Sequence, residues 1–231
     1  DYYGAITDYT KAIELDPDYA VAYVNRGISK RNLKDYYGAI TDYTKAIELN
    51  PDYAIAYNNR GNSKSKLEDY YGAITDYTKA IELDPDDADA YNNRGVVKDD
   101  LKDYYGAITD YTKAISLDPD YASAYNNRGV SKKNLKDYYG AIADYTKAIS
   151  LNPDYANAYN NRGLSKNDLK DYYGAIADYT KAISLDPDYA KAYANRGIVK
   201  EKSGKPYCSD YKKACDLGKS DCCEWYNNQC R

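Results

Sequence analysis

The chain has 231 residues, and its 32 Lys and Arg against 36 Asp and Glu give a formal net charge of -4. This balance leaves no overall basic field, so nucleic acid is not an expected partner. Mean hydropathy is -0.85, and no apolar run approaches the roughly 18 residues that a membrane span needs, so no membrane partner is expected. His is absent, which removes the commonest general base and metal ligand, and we predict neither enzymatic activity nor a cofactor.

One hexapeptide, DYYGAI, recurs along the chain at a fixed spacing of 34 residues. Its copies begin at Asp1, Asp35, Asp69, Asp103, Asp137 and Asp171. Such a period is typical of helical repeat proteins, whose units bury their apolar faces only by stacking on neighbours. Because the sequence opens inside a repeat and contains no Met, we expect a fragment or a processed form, and the compartment is not predicted.

Each repeat predicts a hairpin of two helices. The apolar residues of 39–49 recur with a helical period, which predicts an amphipathic helix over 35–49. Pro51 ends this helix, and Asp52 is expected to cap the next one, over about 54–67. Gly27 and Gly38 each cost roughly 0.5–1 kcal/mol relative to Ala inside a helix. Their recurrence predicts helices that approach too closely there for a side chain.

In chain order we predict a lone second helix (1–15), five full hairpins (20–189) and a first helix (190–203), which together form an all-α solenoid over 1–204. From 205 to 231 the pattern degrades into a shortened half-repeat and a closing segment. All the cysteines lie in this segment: Cys208, Cys215, Cys222, Cys223 and Cys230. Their spacing does not match the paired C-x2-C pattern of zinc sites, so no metal is predicted.

The repeats resemble the tetratricopeptide repeat over about 1–204. In the unit 20–53, the slots of the family pattern hold Tyr23, Arg26, Gly27, Lys30, Ala39, Tyr43, Ala46 and Pro51. Arg26 and Lys30 depart from the usual Leu and Tyr in every unit, and we expect both to pair with carboxylates of the Asp42 type. The resemblance implies a right-handed superhelix of antiparallel hairpins, whose concave groove binds a protein or an extended peptide.

The closing segment resembles cysteine-rich helical repeats related to this family, in which such cysteines form disulfides between adjacent helices. This resemblance implies a disulfide between Cys215 and Cys223. The alternative is that these small apolar residues simply pack a cap. The choice stays open because the redox environment is unknown.

The units differ from one another mainly along one face of the first helix. Four varied positions lie at offsets of 7 and then 3 or 4 residues, which places them on one helical face. The outward positions Thr44, Lys45 and Glu48 of the second helix are repeated, and only the last changes, becoming Ser in later units. Relaxed solvent exposure would have varied both helices alike. The stripe on the first helix is therefore interpreted as a recognition surface.

Within this stripe one residue type never changes, and we predict that it contacts a peptide backbone: Asn25, Asn59, Asn93, Asn127, Asn161 and Asn195. An amide carries both donors and an acceptor, so it can hold a backbone without selecting side chains. The arrangement resembles the asparagine ladder in the repeats of O-linked N-acetylglucosamine transferase, which holds extended peptides. The alternative is that these amides bond to a neighbouring helix.

The varied positions indicate the chemistry of a ligand. We predict contacts from Val96, Asp99, Asp100, Val130 and Leu164, which suit a peptide with a basic residue followed by apolar ones. The carboxylate clamp of chaperone-tail readers is not matched, because Val24, Asn58 and Asn92 replace its first Lys.

A second class of function rests on a row of tyrosines at a usually exposed position: Tyr3, Tyr37, Tyr71, Tyr105, Tyr139 and Tyr173. The row could be a surface for self-association, or each ring could lie flat over the neighbouring hairpin, which we favour. The alternative function is thus an assembly element that associates through this row or through the solenoid ends.

Overall fold

The computed structural model describes residues 1–230, which form fourteen helices and no strand. In chain order these are α1 (Tyr2–Leu15), α2 (Ala20–Asn32), α3 (Tyr36–Leu49), α4 (Ala54–Lys66), α5 (Tyr70–Leu83), α6 (Ala88–Asp100), α7 (Tyr104–Leu117), α8 (Ala122–Asn134), α9 (Tyr138–Leu151), α10 (Ala156–Asp168), α11 (Tyr172–Leu185), α12 (Ala190–Lys202), α13 (Cys208–Asp216) and α14 (Ser220–Gln229). The even-numbered helices α2 to α12 are the A helices, and the odd-numbered helices α1 to α11 are the B helices. The predicted all-α fold of consecutive hairpins is confirmed.

The helices fall into two compact units, Asp1–Pro119 and a second that begins at Asp120. In the first unit each helix packs on the next, and the A helices α2, α4 and α6 also contact one another. In the second unit α8, α10 and α12 do the same. Each unit therefore carries a surface made of neighbouring A helices. This division lies within the repeats and does not test the boundary predicted at residue 204.

Small and aromatic side chains form the core between the helices of each hairpin. Ala39, Tyr43 and Ala46 of α3 are fully buried, and their equivalents in the later B helices are buried as well. A Cβ added to Gly27 would lie 2.6 Å from Cε1 of Tyr43, which confirms the close approach of the helices at this glycine. The same prediction is wrong for Gly38. A Cβ there would meet the carboxylate of Asp35, which caps α3 by accepting the Gly38 N–H at 2.9 Å.

The A helices begin differently from the prediction. Tyr53 precedes α4 without a side-chain capping bond, and the N–H of Asp52 donates instead to Oδ1 of Asn50 at 3.2 Å. The expectation that Asp52 caps this helix is therefore wrong. Asp52 lies in the turn that follows Pro51, where its backbone N–H is bonded to Asn50. In α6, Asp87 replaces the Tyr and caps the helix by accepting the N–H of Ala90 at 3.1 Å.

Arg26 and Lys30 converge on the buried carboxylate of Asp42, as expected. Arg26 donates from Nε to Oδ2 of Asp42 at 3.0 Å and from Nη2 to Oδ1 at 2.7 Å, and Lys30 Nζ lies 2.8 Å from Oδ2. This bidentate bond raises the pKa of Arg26, because it favours the charged guanidinium. Arg26 Nη1 also donates to Thr10 of the preceding B helix at 3.1 Å. The carboxylate triad recurs along the repeats: Arg60–Asp76–Lys64, Arg94–Asp110–Lys98, Arg128–Asp144–Lys132 and Arg162–Asp178–Lys166.

The turn from each A helix to its B helix contains a left-handed residue. Five turns place a residue other than glycine there, with φ between 62° and 65°: Lys34, Glu68, Lys102, Lys136 and Lys170. Gly204 takes this position after α12, with φ 68°. A left-handed conformation costs a residue with a side chain about 1–2 kcal/mol.

The last two helices form a cap that keeps part of the repeat chemistry. Arg196 and Lys200 of α12 bond to Asp210 of α13, as in the repeats. Trp225 of α14 packs with its ring centroid 4.3 Å from that of Tyr211. Two disulfides join the segment: Cys215 to Cys223, which is the pair that the resemblance implied, and Cys208 to Cys230. Cys222 is buried and carries a free thiol.

Candidate peptide-binding surface on the A helices

Three of the six ladder asparagines, Asn93, Asn161 and Asn195, link neighbouring A helices within a unit. Nδ2 of Asn93 donates to Oδ1 of Asn58 at 3.2 Å in the first unit. In the second, Asn161 donates to Asn126 at 3.0 Å and Asn195 donates to Asn160 at 2.9 Å. The bond to a neighbouring helix that we considered as the alternative is therefore present.

These bonds use only part of each amide. Within residues 1–230, Oδ1 of Asn93 and of Asn195 accepts no hydrogen bond, and both side chains are only half-buried. Asn59 is held differently, since its Nδ2 donates to Ile55 O at 2.9 Å and its Oδ1 accepts from Arg31 Nη1 at 2.9 Å. Asn25 is half-buried on α2, and Asn127 accepts from Asn126 at 3.4 Å. In Asn93 and Asn195 the bond between helices thus fixes the orientation of the amide and leaves its oxygen as an acceptor, whereas Oδ1 of Asn161 accepts from Asn160 at 3.5 Å.

A cavity of about 420 Å³ lies on the A helices of the first unit. It brings together two of the predicted site residues, Asn93 and Val96. Arg31, Lys34 and Lys66 also line it, and we did not predict them as site residues. The positions of Arg31 and Lys66 vary between units, which was a usable signal. We predicted ligand contacts only where these positions hold Asp99 and Asp100.

A second cavity of about 390 Å³ lies on the A helices of the second unit. Its lining includes three predicted residues, Asn161, Leu164 and Asn195, together with Tyr189 and Lys219. Lys219 belongs to the turn before α14, where the 34-residue period has ended. Unit-to-unit comparison therefore could not place it beside the ladder.

The remaining predicted residues stand apart from these two cavities. Asp99 is half-buried and Asp100 is exposed in the last turn of α6, and Val130 is half-buried in α8. Burial, assisted by the charges of Asp99 and Asp100, raises the pKa of Tyr111. The charges of these two carboxylates thus make the buried Tyr111 hydroxyl harder to ionise.

The tyrosine row does not lie flat on the hairpins. Its members in the later repeats are 74–77% exposed: Tyr37, Tyr71, Tyr105, Tyr139 and Tyr173. The reading that each ring covers its neighbour is therefore wrong. Lys205 Nζ lies 4.1 Å from the ring centroid of Tyr173, a cation–π contact.

No helix among residues 1–230 is both long enough and apolar enough to cross a membrane. In the same residues, no group of three His, Cys, Asp or Glu side chains could hold a metal ion.

These features define a protein of stacked helical hairpins with cavities along its A helices. The chain belongs to the tetratricopeptide repeat family: the family model matches residues 20–53, 54–87, 88–121, 122–155 and 156–189. A second model, described as TPR repeat, matches residues 1–33. Proteins of this family are generally protein-binding scaffolds rather than enzymes.

Solved structures share this fold, whereas no curated protein matches the sequence. YrrB, described as a TPR protein with an unusual peptide-binding site, is 26% identical, with a TM-score of 0.65 over 80% of this chain and 95% of YrrB. MamA is 27% identical, with a TM-score of 0.65 over 74% of this chain and 94% of MamA. A tetratricopeptide repeat protein from Parabacteroides merdae is 21% identical, with a TM-score of 0.75 over 98% and 91%; at that identity it supports the fold alone.

Proposed function

We propose that the A-helix surface binds an extended peptide or protein segment and that the ladder asparagines hold its backbone. The observation that carries this proposal is the combination of a constant Asn with varied neighbours on the same helical face. An amide whose N–H is bonded to the preceding helix presents its oxygen in a fixed direction. It can then accept a peptide N–H without selecting the side chain.

The cavities support the same proposal. Ladder residues line both of them, at Asn93 in the first unit and at Asn161 and Asn195 in the second. Aliphatic side chains accompany the amides at Val96 and Leu164, so backbone and side-chain contacts are available together. YrrB, at 26% identity, is described as having a peptide-binding site, which favours the same class of ligand here.

A peptide-array screen on the whole chain tests this function. Replacing Asn93, Asn127 and Asn161 with Ala should lower the affinity for the bound peptides at least tenfold, since each hydrogen bond contributes about 0.5–1.5 kcal/mol. The matched control replaces Thr41, Thr75 and Thr109, which are exposed on the B helices, with Ala. Equal affinity in the two triple variants, with both folded by circular dichroism, would exclude the ladder as the binding site.

A second candidate function is self-association through the tyrosine row, and the exposure of these rings favours it. Large exposed aromatic side chains in a row are typical of contact surfaces. Light scattering over a range of concentrations tests this function. Association that is lost in Tyr37→Ser, Tyr71→Ser and Tyr105→Ser combined would support it. A monomer at every concentration would exclude it.

A further inference from the structure

The charged residues that line the cavity of the first unit are all cations. Three of its lining residues are cations, Arg31, Lys34 and Lys66, and the rest are Asn32, Tyr36, Asn62, Ser65, Tyr77, Asn93 and Val96. Among residues 1–230, no carboxylate lines it. The whole chain carries a net charge of -4, so this local excess of positive charge opposes the overall balance.

These three cations differ from the other basic side chains of the same helices. Lys30 and Lys64 are each 2.8 Å from a buried carboxylate, Asp42 and Asp76 respectively. Within residues 1–230, Arg31, Lys34 and Lys66 form no ion pair, and Arg31 donates only to the neutral amide of Asn59 at 2.9 Å. Most of the guanidinium donors of Arg31 therefore remain for a ligand.

Neutral groups in the cavity are also oriented as donors. The hydroxyl of Tyr77 donates to Oδ1 of Asn62 at 2.8 Å. This bond occupies the acceptor of Asn62 and leaves its N–H groups for another partner. The cavity thus combines three unpaired cations with an amide held in the donor orientation.

The charged positions occur in this form only once in the chain. The position of Arg31 holds Ser65 in the next unit and Asp99 in the one after, and the position of Lys66 holds Asn32 before it and Asp100 after it. The constant ladder is the same in every repeat, so by itself it lets a peptide shift by one whole repeat. The second cavity also has two lysines in its lining, Lys191 and Lys219, but Lys219 lies 3.5 Å from Asp221. A site with three cations outside any ion pair would remove the ambiguity of register.

We propose that this cavity binds the side-chain carboxylate of an acidic residue in the peptide and so fixes the register of the peptide along the repeats. The inference rests on the proposed peptide-binding function and names the chemistry of the ligand. Arg31 and Lys66 form the charged contact, Lys34 contributes from the turn, and Asn62 donates a neutral hydrogen bond. These residues lie near the ends of α2 and α4, whereas Val24 and Asn58 occupy the positions of the family's carboxylate clamp.

The test uses three fluorescent peptides of Ala and Ser that differ in one central pair, Glu-Glu, Gln-Gln or Lys-Lys. All are amidated at the C-terminus, so that only side chains supply a carboxylate. The whole chain should bind the Glu-Glu peptide at least tenfold more tightly than the Gln-Gln peptide, and the Lys-Lys peptide should gain nothing from the cavity. This preference should weaken as salt is added, because the contact is ionic.

Two double variants with the same change in net charge locate the preference. Arg31→Gln with Lys66→Gln should bring the Glu-Glu and Gln-Gln peptides to equal affinity. Lys45→Gln with Lys79→Gln, on the exposed faces of α3 and α5, should leave the preference unchanged. Equal loss in both double variants would overturn the inference, because the effect would then come from net charge alone.

Further outcomes separate this inference from the function on which it rests. Peptide binding that is lost in the Asn93, Asn127 and Asn161 triple variant but keeps its Glu preference in Arg31→Gln with Lys66→Gln would overturn the cationic site and leave the ladder standing. Equal affinity of the whole chain for the amidated Glu-Glu and Gln-Gln peptides would overturn the side-chain carboxylate as the ligand. Absence of binding for the Glu-Glu peptide, while the array yields bound peptides without acidic residues, would overturn the cationic site and leave the proposed function standing. Absence of any bound peptide on the array would overturn both.

Discussion

The repeats and the terminal cap share one polar network but differ in what surrounds it. In both regions an Arg and a Lys of an A helix bond to a buried Asp of the following helix, as Arg60 and Lys64 do with Asp76 and as Arg196 and Lys200 do with Asp210. The repeats contain no cysteine, and in each of them a glycine of the A helix lies in close contact with a buried tyrosine of the B helix. In the cap that contact is looser, and two disulfides join the helices.

This comparison teaches which part of the hairpin tolerates change. The Arg and its Asp partner are 16 residues apart in the repeats and 14 apart at the cap, yet the same bonds form. The following helix begins at Cys208 after Lys202 in the cap, but at Tyr36 after Asn32 in the repeat. The network therefore survives a longer turn and a later helix start, whereas the glycine–tyrosine contact becomes looser. Cross-linking and aromatic stacking in the cap replace the packing that a further hairpin would supply.

Raising the pH should unfold the repeats, because the buried tyrosines must ionise. This is the largest effect we expect. Burial raises the pKa of Tyr43 to about 12 from 10.0, and burial also raises the pKa of Tyr77 and Tyr179. The folded state favours neutral phenols, so their contribution is present below pH 10 and is lost as the pH rises towards 12. Circular dichroism and tyrosinate absorbance should change together. Complete ionisation with native helicity at pH 12 would contradict this expectation.

Asp76→Ala should cost about 3–5 kcal/mol in the free energy of unfolding, since it leaves two partly buried cations without their carboxylate. Urea denaturation measures the loss. Glu82→Ala on the same helix is the control, because its ion pair with Lys79 is exposed and contributes about 0–1 kcal/mol. Similar losses in the two variants would show that burial of the carboxylate does not decide the effect.

Cys208→Ser combined with Cys230→Ser should destabilise the cap by about 2–4 kcal/mol, because the disulfide limits the unfolded segment. Trp225 is the only Trp in the chain, so its fluorescence reports the cap alone. Urea should change this fluorescence at a lower concentration than in the wild type, while the helical signal of the repeats keeps its midpoint. Loss of both signals together would show that the cap and repeats unfold as one.

Gly61→Ala and Gly197→Ala compare the helix packing of the two regions directly. An added Cβ would lie 2.8 Å from the Tyr77 ring in the repeat but 3.4 Å from the Tyr211 ring at the cap. Overpacking should cost the repeat variant about 1–3 kcal/mol. The cap variant should be neutral or gain up to about 0.5–1 kcal/mol from the helix preference of Ala. Equal thermal stability of the two variants would contradict the difference in packing.

Lys136→Gly should give the smallest effect, a gain of under about 1 kcal/mol. The substitution removes a left-handed conformation that costs about 1–2 kcal/mol, and the greater flexibility of unfolded glycine offsets part of the gain. Gly204→Lys at the equivalent turn beside the cap should lose a similar amount. Thermal unfolding measures both, and a loss for Lys136→Gly would show that the lysine stabilises its turn.

Much of the fold could be predicted from the sequence because the period, the apolar stripe and the proline each act within one repeat. The helix bounds and the Arg26–Asp42–Lys30 contact follow from such local patterns. The role of Gly38 could not be predicted, since a glycine needed for a capping carboxylate looks the same as one needed for helix packing. Asp52 was misjudged because its backbone, rather than its side chain, is what the turn holds.

The candidate site was less accessible to sequence reasoning. The ladder was identifiable from its constancy, but its bonds to Asn58 and Asn160 join residues 35 positions apart in the sequence. The constancy of Thr44 was read as that of an outward residue, yet its hydroxyl accepts Arg60 Nη1 at 3.1 Å. Lys45 remains an exposed constant position that supports the comparison between the helix faces, whereas the position of Glu48 changes to Ser in later repeats.

The contact between an Arg and the preceding Thr has a consequence for how such a chain can grow. Arg60 reaches Thr44, Arg94 reaches Thr78 and Arg196 reaches Thr180, always 16 residues back. Within each unit, a repeat thus supplies the Thr for the contact with the following repeat and the Arg for the contact with the preceding one. A gene that gains or loses a block of 34 codons regenerates the same junction at the seam, so the protein can change length without evolving a new interface.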